Sequence, residues 1–324
     1  MTLDEFLAEW QDGSPTVRVK TSGSTGAPKP MDVEKTRMRA SARTTCDFLG
    51  LREGDCALLC LPLDYIAGKM MVVRALERGL RLICQEPSSH PMRGLTVSPD
   101  FAALTPMQVW ETLRDERERE TLFGIGNVII GGGAVDPDIA NRLQGARGAV
   151  WSTYGMTETL SHIALRRVNG PAASEWYTPF NGVSVSLTDD GRLVIDAPNV
   201  SPKRLTTNDI AELRTDPGGK TRFRILGRAD NVICSGGIKI QAEEVERLLD
   251  GKIGVPFMVT WRQDPKLGQA VTLVMEGGDA DAAKDACEAT LPKYWRPKTI
   301  EVVGNLPRTE TGKVKRKAWD KTTK

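Results

Sequence analysis

Two histidines in 324 residues leave little room for imidazole chemistry. Neither His90 nor His162 stands near a cysteine, which argues against a Cys/His zinc site. A Ser-His-Asp triad would need one of the two, and no G-x-S-x-G segment occurs. Cysteine is also sparse: Cys46, Cys56, Cys60, Cys84, Cys234 and Cys287 are scattered without a C-x-x-C. Reduced and mostly buried thiols are expected, not a disulfide framework. No apolar run approaches the ~20 residues of a membrane span, so no membrane partner is expected. Charge of one sign is missing too. The 44 Lys+Arg against 42 Asp+Glu leave a formal +2, which gives no basis for nucleic acid as a partner. The opening MTLDEFLAEW carries acids where a secretory leader has basic residues and then an apolar stretch. A cytoplasmic location is the expectation.

What is present is an ordinary globular composition, with 40% apolar and 27% charged residues. The length suggests about two domains at ~150 residues each. Val17–Lys20 alternates like a strand, and 33–49 reads as a helix. Ala57–Leu61 is a continuous apolar run, as in a buried parallel strand. A helix over 68–78 stops at Gly79, with strands at Leu80–Cys84, Phe101–Leu104 and Asn127–Ile130. The charged stretch Arg114–Glu120 reads as the solvated part of a helix. A helix over 138–144 and a strand at Ala149–Trp151 complete an alternation that predicts a layered α/β domain. Beyond about residue 180 short strands dominate, at Val183–Leu187, Arg192–Ile195 and Phe223–Leu226. After Gly227 come a helix at Ala242–Leu249, an exposed-looking strand pair around 256–275, a helix near 280–290 and a basic tail. Residues 305–324 hold seven Lys/Arg and two Asp/Glu.

Several segments suggest chemistry. Thr21-Ser22-Gly23-Ser24-Thr25-Gly26-Ala27-Pro28-Lys29 follows a strand and combines hydroxyls, glycines and a lysine, which suits a polyphosphate. It is not a Walker loop, because Lys29 lies between two prolines. Gly131-Gly132-Gly133 also follows a strand but completes no G-x-G-x-x-G. In Thr153-Tyr154-Gly155-Met156-Thr157-Glu158-Thr159 a single carboxylate among hydroxyls can hold Mg²⁺ together with phosphate oxygens. Asp209 can accept both hydroxyls of a ribose. Lys313, after a glycine on a small terminal module, can be delivered into a site or withdrawn from it.

TSGSTGAPKP, YGMTET, TNDIAEL, ILGRADNVICSGGIKIQAEEVE and PRTETGKVKRK stand in order from residue 21 to 317. Together they resemble the adenylate-forming superfamily of acyl- and aryl-CoA synthetases. The resemblance implies an α/β fold with a large layered N-terminal domain, 1–227, whose mixed sheets are flanked by helices. A small mobile α+β domain, 228–324, would turn about a hinge at Asp230. It implies ATP, Mg²⁺ and CoA. A carboxylate attacks the α-phosphate of ATP to give an acyl-adenylate and pyrophosphate, and a thiol then displaces AMP.

By the same resemblance, Ser22, Ser24, Thr25 and Lys29, in the loop with Thr21, Gly23 and Gly26, would hold the β- and γ-phosphates. Gly131, Gly132 and Gly133 would pack against adenine and the acyl group, with Tyr154, Gly155 and Met156 beside them. Thr157 would contact the α-phosphate, Glu158 the metal, and Asp209 and Arg228 the ribose. Gly236 and Gly237 would line a pantetheine tunnel. Lys313 would bridge the acyl carboxylate and the α-phosphate, offsetting the charge that builds between two anions.

Two departures stand out. T-G-D reads Thr207-Asn208-Asp209, and Gln241 replaces a common proline. The phosphate loop also begins at residue 21, far earlier than in the family. That suggests a shortened N-terminal subdomain, with either a minimal enzyme or a homodimer that completes the wall. Leu61–Met71 and Tyr154–Arg166 are similar to the o-succinylbenzoate–CoA ligases of menaquinone synthesis. Their acid keeps a second carboxylate, which needs a cation away from Lys313. Lys69 at a helix start is one candidate. His162 and Arg166, four apart and on one face if that stretch is helical, are the others. A CoA ligase for another aryl or acyl acid is the close rival, and a non-catalytic nucleotide-binding module the distant one.

Overall fold

The computed structural model describes residues 1–20, 30–308, 314, 316, 318 and 319. The chain opens with α1 (Leu3–Gln11). Its N-cap Thr2 and Glu5 exchange side-chain and backbone hydrogen bonds, and Phe6 and Trp10, one turn apart, are buried. β1 (Thr16–Lys20) and β2 (Pro30–Glu34) pair antiparallel with Lys20 opposite Pro30. α2 (Lys35–Leu49) begins two residues later than the pattern suggested, because 33 and 34 complete β2. β3 (Cys56–Leu59) leads to α3 (Ile66–Arg78), and Gly79 caps α3 with φ 69°.

β4 (Arg81–Cys84), β5 (Phe101–Leu104), α4 (Pro106–Thr112), α5 (Glu116–Gly124), β6 (Asn127–Ile130), α6 (Pro137–Arg142), β7 (Ala149–Gly155), β8 (His162–Arg167) and β9 (Thr178–Pro179) follow. These strands and β3 form a seven-stranded sheet in the order β4-β3-β5-β6-β7-β8-β9. The pairs from β4 to β7 are parallel, while β8 and β9 are antiparallel additions. Alternate residues face two cores. Ala57, Leu59, Phe101 and Ala103 meet the apolar faces of α1, α2 and α3. Leu58, Cys60, Ala102, Leu104 and Val128 meet α4, α5 and α6. Coverage on both faces is what makes these strands apolar throughout.

β10 (Ser184–Leu187), β11 (Arg192–Asp196), β12 (Leu205–Thr215) and β13 (Thr221–Arg228) form a four-stranded sheet in chain order. β14 (Val232–Ser235), β15 (Ile238–Gln241), α7 (Ala242–Leu249), β16 (Phe257–Asp264), β17 (Gly268–Glu276), α8 (Ala280–Thr290) and β18 (Thr299–Val303) complete the order. The last sheet runs β15-β14-β17-β16, with β18 parallel to β17, and buries Ile233, Val259, Val271 and Leu273 against α7 and α8. The β16–β17 pair is therefore a buried core ribbon, not the exposed pair its composition suggested.

Packing divides the chain into two compact units. One comprises Met1–Ser186, Val194–Leu205 and Arg214–Phe223; the other comprises Leu187–Leu193, Thr206–Leu213 and Arg224–Lys324. No helix among the described residues is long and apolar enough to cross a membrane.

Candidate active site

In a doubly covered parallel sheet, ligands bind beyond the carboxyl ends of the strands where the strand order reverses. Here the reversal falls between β3 and β5, since the chain runs outward from β3 to β4 and then crosses to β5. Gln108 spans that point, donating from Nε2 to the Cys60 and Ser88 carbonyls at 3.2 and 3.0 Å. Gly131–Gly133 leave the carboxyl end of β6, and Met156–Glu158 that of β7. Two of the expected nucleotide-facing loops, at 131–133 and 156–158, thus share one sheet edge.

Their glycines have steric reasons. A Cβ on Gly131 would sit 2.7 Å from Thr153 Oγ1, and one on Gly155 only 2.2 Å from the Ser161 carbonyl oxygen. Gly155 lies where β7 and β8 slip register, with Ile163 as the extra residue between His162 and Ala164. Leu160 closes the turn with φ 65°, the one positive φ outside glycine among the described residues, and its side chain is buried. Tyr154 packs edge-on against Phe223, at 5.0 Å between centroids, and beside Tyr177, at 5.8 Å. Tyr177 also stacks on Phe223 and bonds Ser152 at 2.9 Å. Thr157 is buried and Glu158 is exposed. Among the described residues no group of three or more metal-ligating side chains occurs. A single open carboxylate beside hydroxyls fits Mg²⁺ that keeps waters and takes its remaining ligands from phosphate.

The candidate cations divide. Lys69 does sit in the first turn of α3, but it is 1% exposed. Its ammonium bonds Glu9 Oε2 at 3.0 Å and lies 4.6 Å from the Phe6 ring centroid. That charge is answered inside the chain, which corrects the expectation of a ligand-facing lysine. The segment of His162 and Arg166 is strand β8, not a helix, and the bulge at Ile163 interrupts the face they were expected to share. Arg166 donates to the Ser174 carbonyl at 3.1 Å and lies over Tyr177. His162 is buried and lines a small, open cleft with Ser41, Thr44, Phe180, Asn181 and Asn199. Neither the Gly131 run, Tyr154 nor Glu158 lines that cleft.

Arg74 escaped the sequence reading. The residue is 2% exposed, and among the described residues no carboxylate lies within ion-pairing distance. Nη2 donates to Ser161 Oγ at 2.8 Å, Nη1 reaches Met71 Sδ at 3.7 Å, and Nε has no hydrogen-bond partner. Burial pushes its pKa down to about 10, so it remains a cation at neutral pH. Burial first, and Arg74 second, hold the His162 imidazole well below its ordinary pKa. A buried charge normally has a partner. The signal was a lone arginine inside Met70-Met71-Val72-Val73-Arg74-Ala75.

The hydrogen bonds here all run one way. Arg74 only donates, so Ser161 accepts from it at 2.8 Å, and the direction of the Ser161–His162 Nδ1 bond, 3.1 Å, follows from the other side of the ring: with hydrogen on Nε2, Nδ1 accepts. Thr45 Oγ1 donates to the Ser41 carbonyl at 3.0 Å and so accepts from His162 Nε2 at 3.1 Å. The network therefore assigns the Nε2–H tautomer.

In the second unit, Arg228 joins Asp209 at 3.3 Å and Asp230 at 2.9 Å, which brings both expected ribose residues together. Partial burial opposes the Arg228 charge, and the two carboxylates outweigh it and raise its pKa. Gly236 and Gly237, with φ 57° and 83°, form the two-residue turn between β14 and β15, a local reason for both glycines. Thr21–Gly26, Lys29 and Lys313 lie outside the described residues.

The sequence profile of the AMP-binding enzyme family matches residues 9–200. A crystal structure described as an acyl-CoA synthetase (AMP-forming)/AMP-acid ligase II-like protein from Dyadobacter fermentans is 35% identical. The match covers 96% of this chain and 90% of that one, with a TM-score of 0.66. The 2-succinylbenzoate–CoA ligase of Listeria innocua is 26% identical over 97% of this chain and 72% of its own length. The Bacillus subtilis o-succinylbenzoate coenzyme A synthetase, solved with ATP and magnesium, shares the fold. It is 23% identical, with a TM-score of 0.73 over 92% of this chain and 68% of that one.

Proposed function

We propose that this chain, which belongs to the AMP-binding enzyme family and is an AMP-forming acid–CoA ligase, takes 2-succinylbenzoate as its acid. The observation that carries the choice is Arg74. A buried guanidinium without a carboxylate among the described residues suits an acid that brings a second carboxylate with it. The similarity to the Listeria innocua ligase supports the same reading.

In the first half-reaction the succinyl carboxylate oxygen attacks the α-phosphorus of ATP. The bond to the bridging oxygen breaks, and pyrophosphate leaves. Residues 21–29 hold the β- and γ-phosphates with backbone N–H groups, hydroxyls and Lys29. Thr157 contacts the α-phosphate, and Glu158 holds Mg²⁺, which offsets phosphate charge when bound. Tyr154 packs against adenine beside Gly131–Gly133, and Asp209 with Arg228 engages the ribose. Lys313 lies between the two anions and stabilises the charge that builds as they join. In the second half-reaction the CoA thiol attacks the acyl carbon along Gly236-Gly237 and expels AMP. Residues 228–324 turn about Asp230 between the two steps, which keeps water from the mixed anhydride.

The test is pyrophosphate release from ATP and Mg²⁺ with a panel of carboxylic acids. 2-Succinylbenzoate is expected to give the highest kcat/KM, at least tenfold above benzoylpropionate, which lacks the second carboxylate. Preference for acids with one carboxylate would reject this acid, and release with none of them would reject the ligase mechanism.

A further inference from the structure

The residues on either side of 309–313 are tied down within the second unit. On one side, Leu306 is buried and its amide donates to Glu276 at 2.7 Å. Arg308 pairs with Val314 in an isolated antiparallel bridge, which brings the two flanks together. On the other side, Arg316 forks onto α7, bonding Glu246 and standing 3.9 Å from Glu243. Trp319 is buried, and its amide donates to the Trp261 carbonyl at 2.7 Å while Nε1 donates to Glu301 at 2.8 Å.

The α7 carboxylates have further partners. Glu246 Oε1 accepts the Val259 amide at 2.7 Å. Glu243 accepts from both Asn231 and Gln241, and Gln241 also donates to the Arg228 carbonyl at 2.9 Å. One carboxylate, Glu243, thus touches the Arg228–Asn231 turn and Arg316. Burial pushes the Glu246 carboxyl up despite Arg316, as expected of a pair largely withdrawn from water.

Building on the proposed role of Lys313 in adenylation, we propose that Arg316, clamped by Glu246 and Glu243, is a positioning residue. It sets where Lys313, three residues earlier, can reach, and it links that reach to the Arg228–Asn231 turn. A lysine stabilises a transition state only where its ammonium is correctly placed, and small displacements of a catalytic group can cost ~10²-fold.

The test removes both charges while keeping an acceptor for the Val259 amide, in Arg316→Met/Glu246→Gln. The thermal midpoint of this variant is expected to stay near that of the unaltered chain. Adenylate formation should fall ~10²-fold. Thioester formation from supplied acyl-adenylate should change less than threefold. Adding Lys313→Ala should lower adenylation no further than Lys313→Ala alone, because both changes act through one group. Arg316→Lys, which keeps a charge but not the fork, should fall between. Equal loss of both half-reactions, or losses that add to those of Lys313→Ala, would overturn the proposal.

A second readout needs no turnover. Amide exchange in a peptide covering residues 305–319 should quicken at least tenfold in the double variant, and unchanged protection would overturn the proposal. If the unaltered chain forms no adenylate with any acid, the ligase reading fails before any variant is compared. The exchange measurement then decides whether Arg316 holds the segment.

Discussion

At the residue scale, Arg74 and Lys69 carry the contrast between what a local pattern shows and what a fold decides. Both lie on α3, five positions apart. Lys69 drew attention because it opens a helix, but the tertiary fold sets Glu9 against it from sixty positions away. No local signal announces such a partner. Arg74 left a local signal, as the one charge in an apolar run, but not one that told its role. If it receives the second carboxylate, Arg74→Met removes a charged hydrogen-bonded contact of about 1.5–3 kcal/mol. The KM for 2-succinylbenzoate should rise ~10–150-fold while that for ATP stays within about twofold. An unchanged acid KM in steady-state rates would exclude the role.

His162 gives a pH prediction. Its folded pKa is depressed below 6.5, so the stability it contributes is fully present above that value and is lost as pH falls through the window beneath it. Within that window the unfolded chain binds a proton that the native one refuses. The loss should reach about 1.4 kcal/mol per pH unit. His162→Gln should flatten the difference between urea unfolding at pH 7 and at pH 5. An identical slope in both proteins would show that burial does not hold the ring neutral.

At the element scale, strands and helices with clean periodicity were legible. α7 and α8 fall where expected, and α3 starts only two residues early. The misses have causes. β8 contains a bulge that breaks alternation, and β12 carries Asn208-Asp209 within it, which reads as a turn. The charged run at 114–120 is not wholly solvated. Asp115 caps α5, and Glu118 is buried against His90 at 3.0 Å and Arg93 at 3.4 Å. The seating of α3 is testable. A Cβ on Gly68 would stand 2.3 Å from the Pro62 carbonyl oxygen, so the helix approaches the strand exit backbone to backbone. Gly68→Ala should therefore cost about 1–3 kcal/mol by denaturant unfolding despite alanine's better helix propensity. A stabilised variant would mean that α3 sits farther out.

At the scale of the whole molecule, the layered α/β domain was readable because both faces of its parallel strands are covered, which leaves unbroken apolar runs. The thiols were only half right. Cys46, Cys60 and Cys287 are buried, Cys56 is partly covered, and Cys84 and Cys234 are exposed. Desolvation pushes Cys60 up to about 12 and Cys287 to about 11, and it also raises Cys84. Native protein at pH 8 should therefore label first at Cys234 and then at Cys84, with Cys46, Cys60 and Cys287 modified only after denaturation. Mass mapping of alkylated peptides checks the order, and early labelling of Cys60 would contradict the packing of β3.

One feature reaches further than its energy. The file from Arg74 through Ser161 and His162 to Thr45 joins three elements with every donor pointing the same way, so the ring keeps one bare nitrogen and one bearing hydrogen. In isotope-labelled protein that asymmetry is a built-in magnetic-resonance beacon. An anion arriving at the guanidinium would shift the bare nitrogen's frequency, reporting occupancy without any added dye.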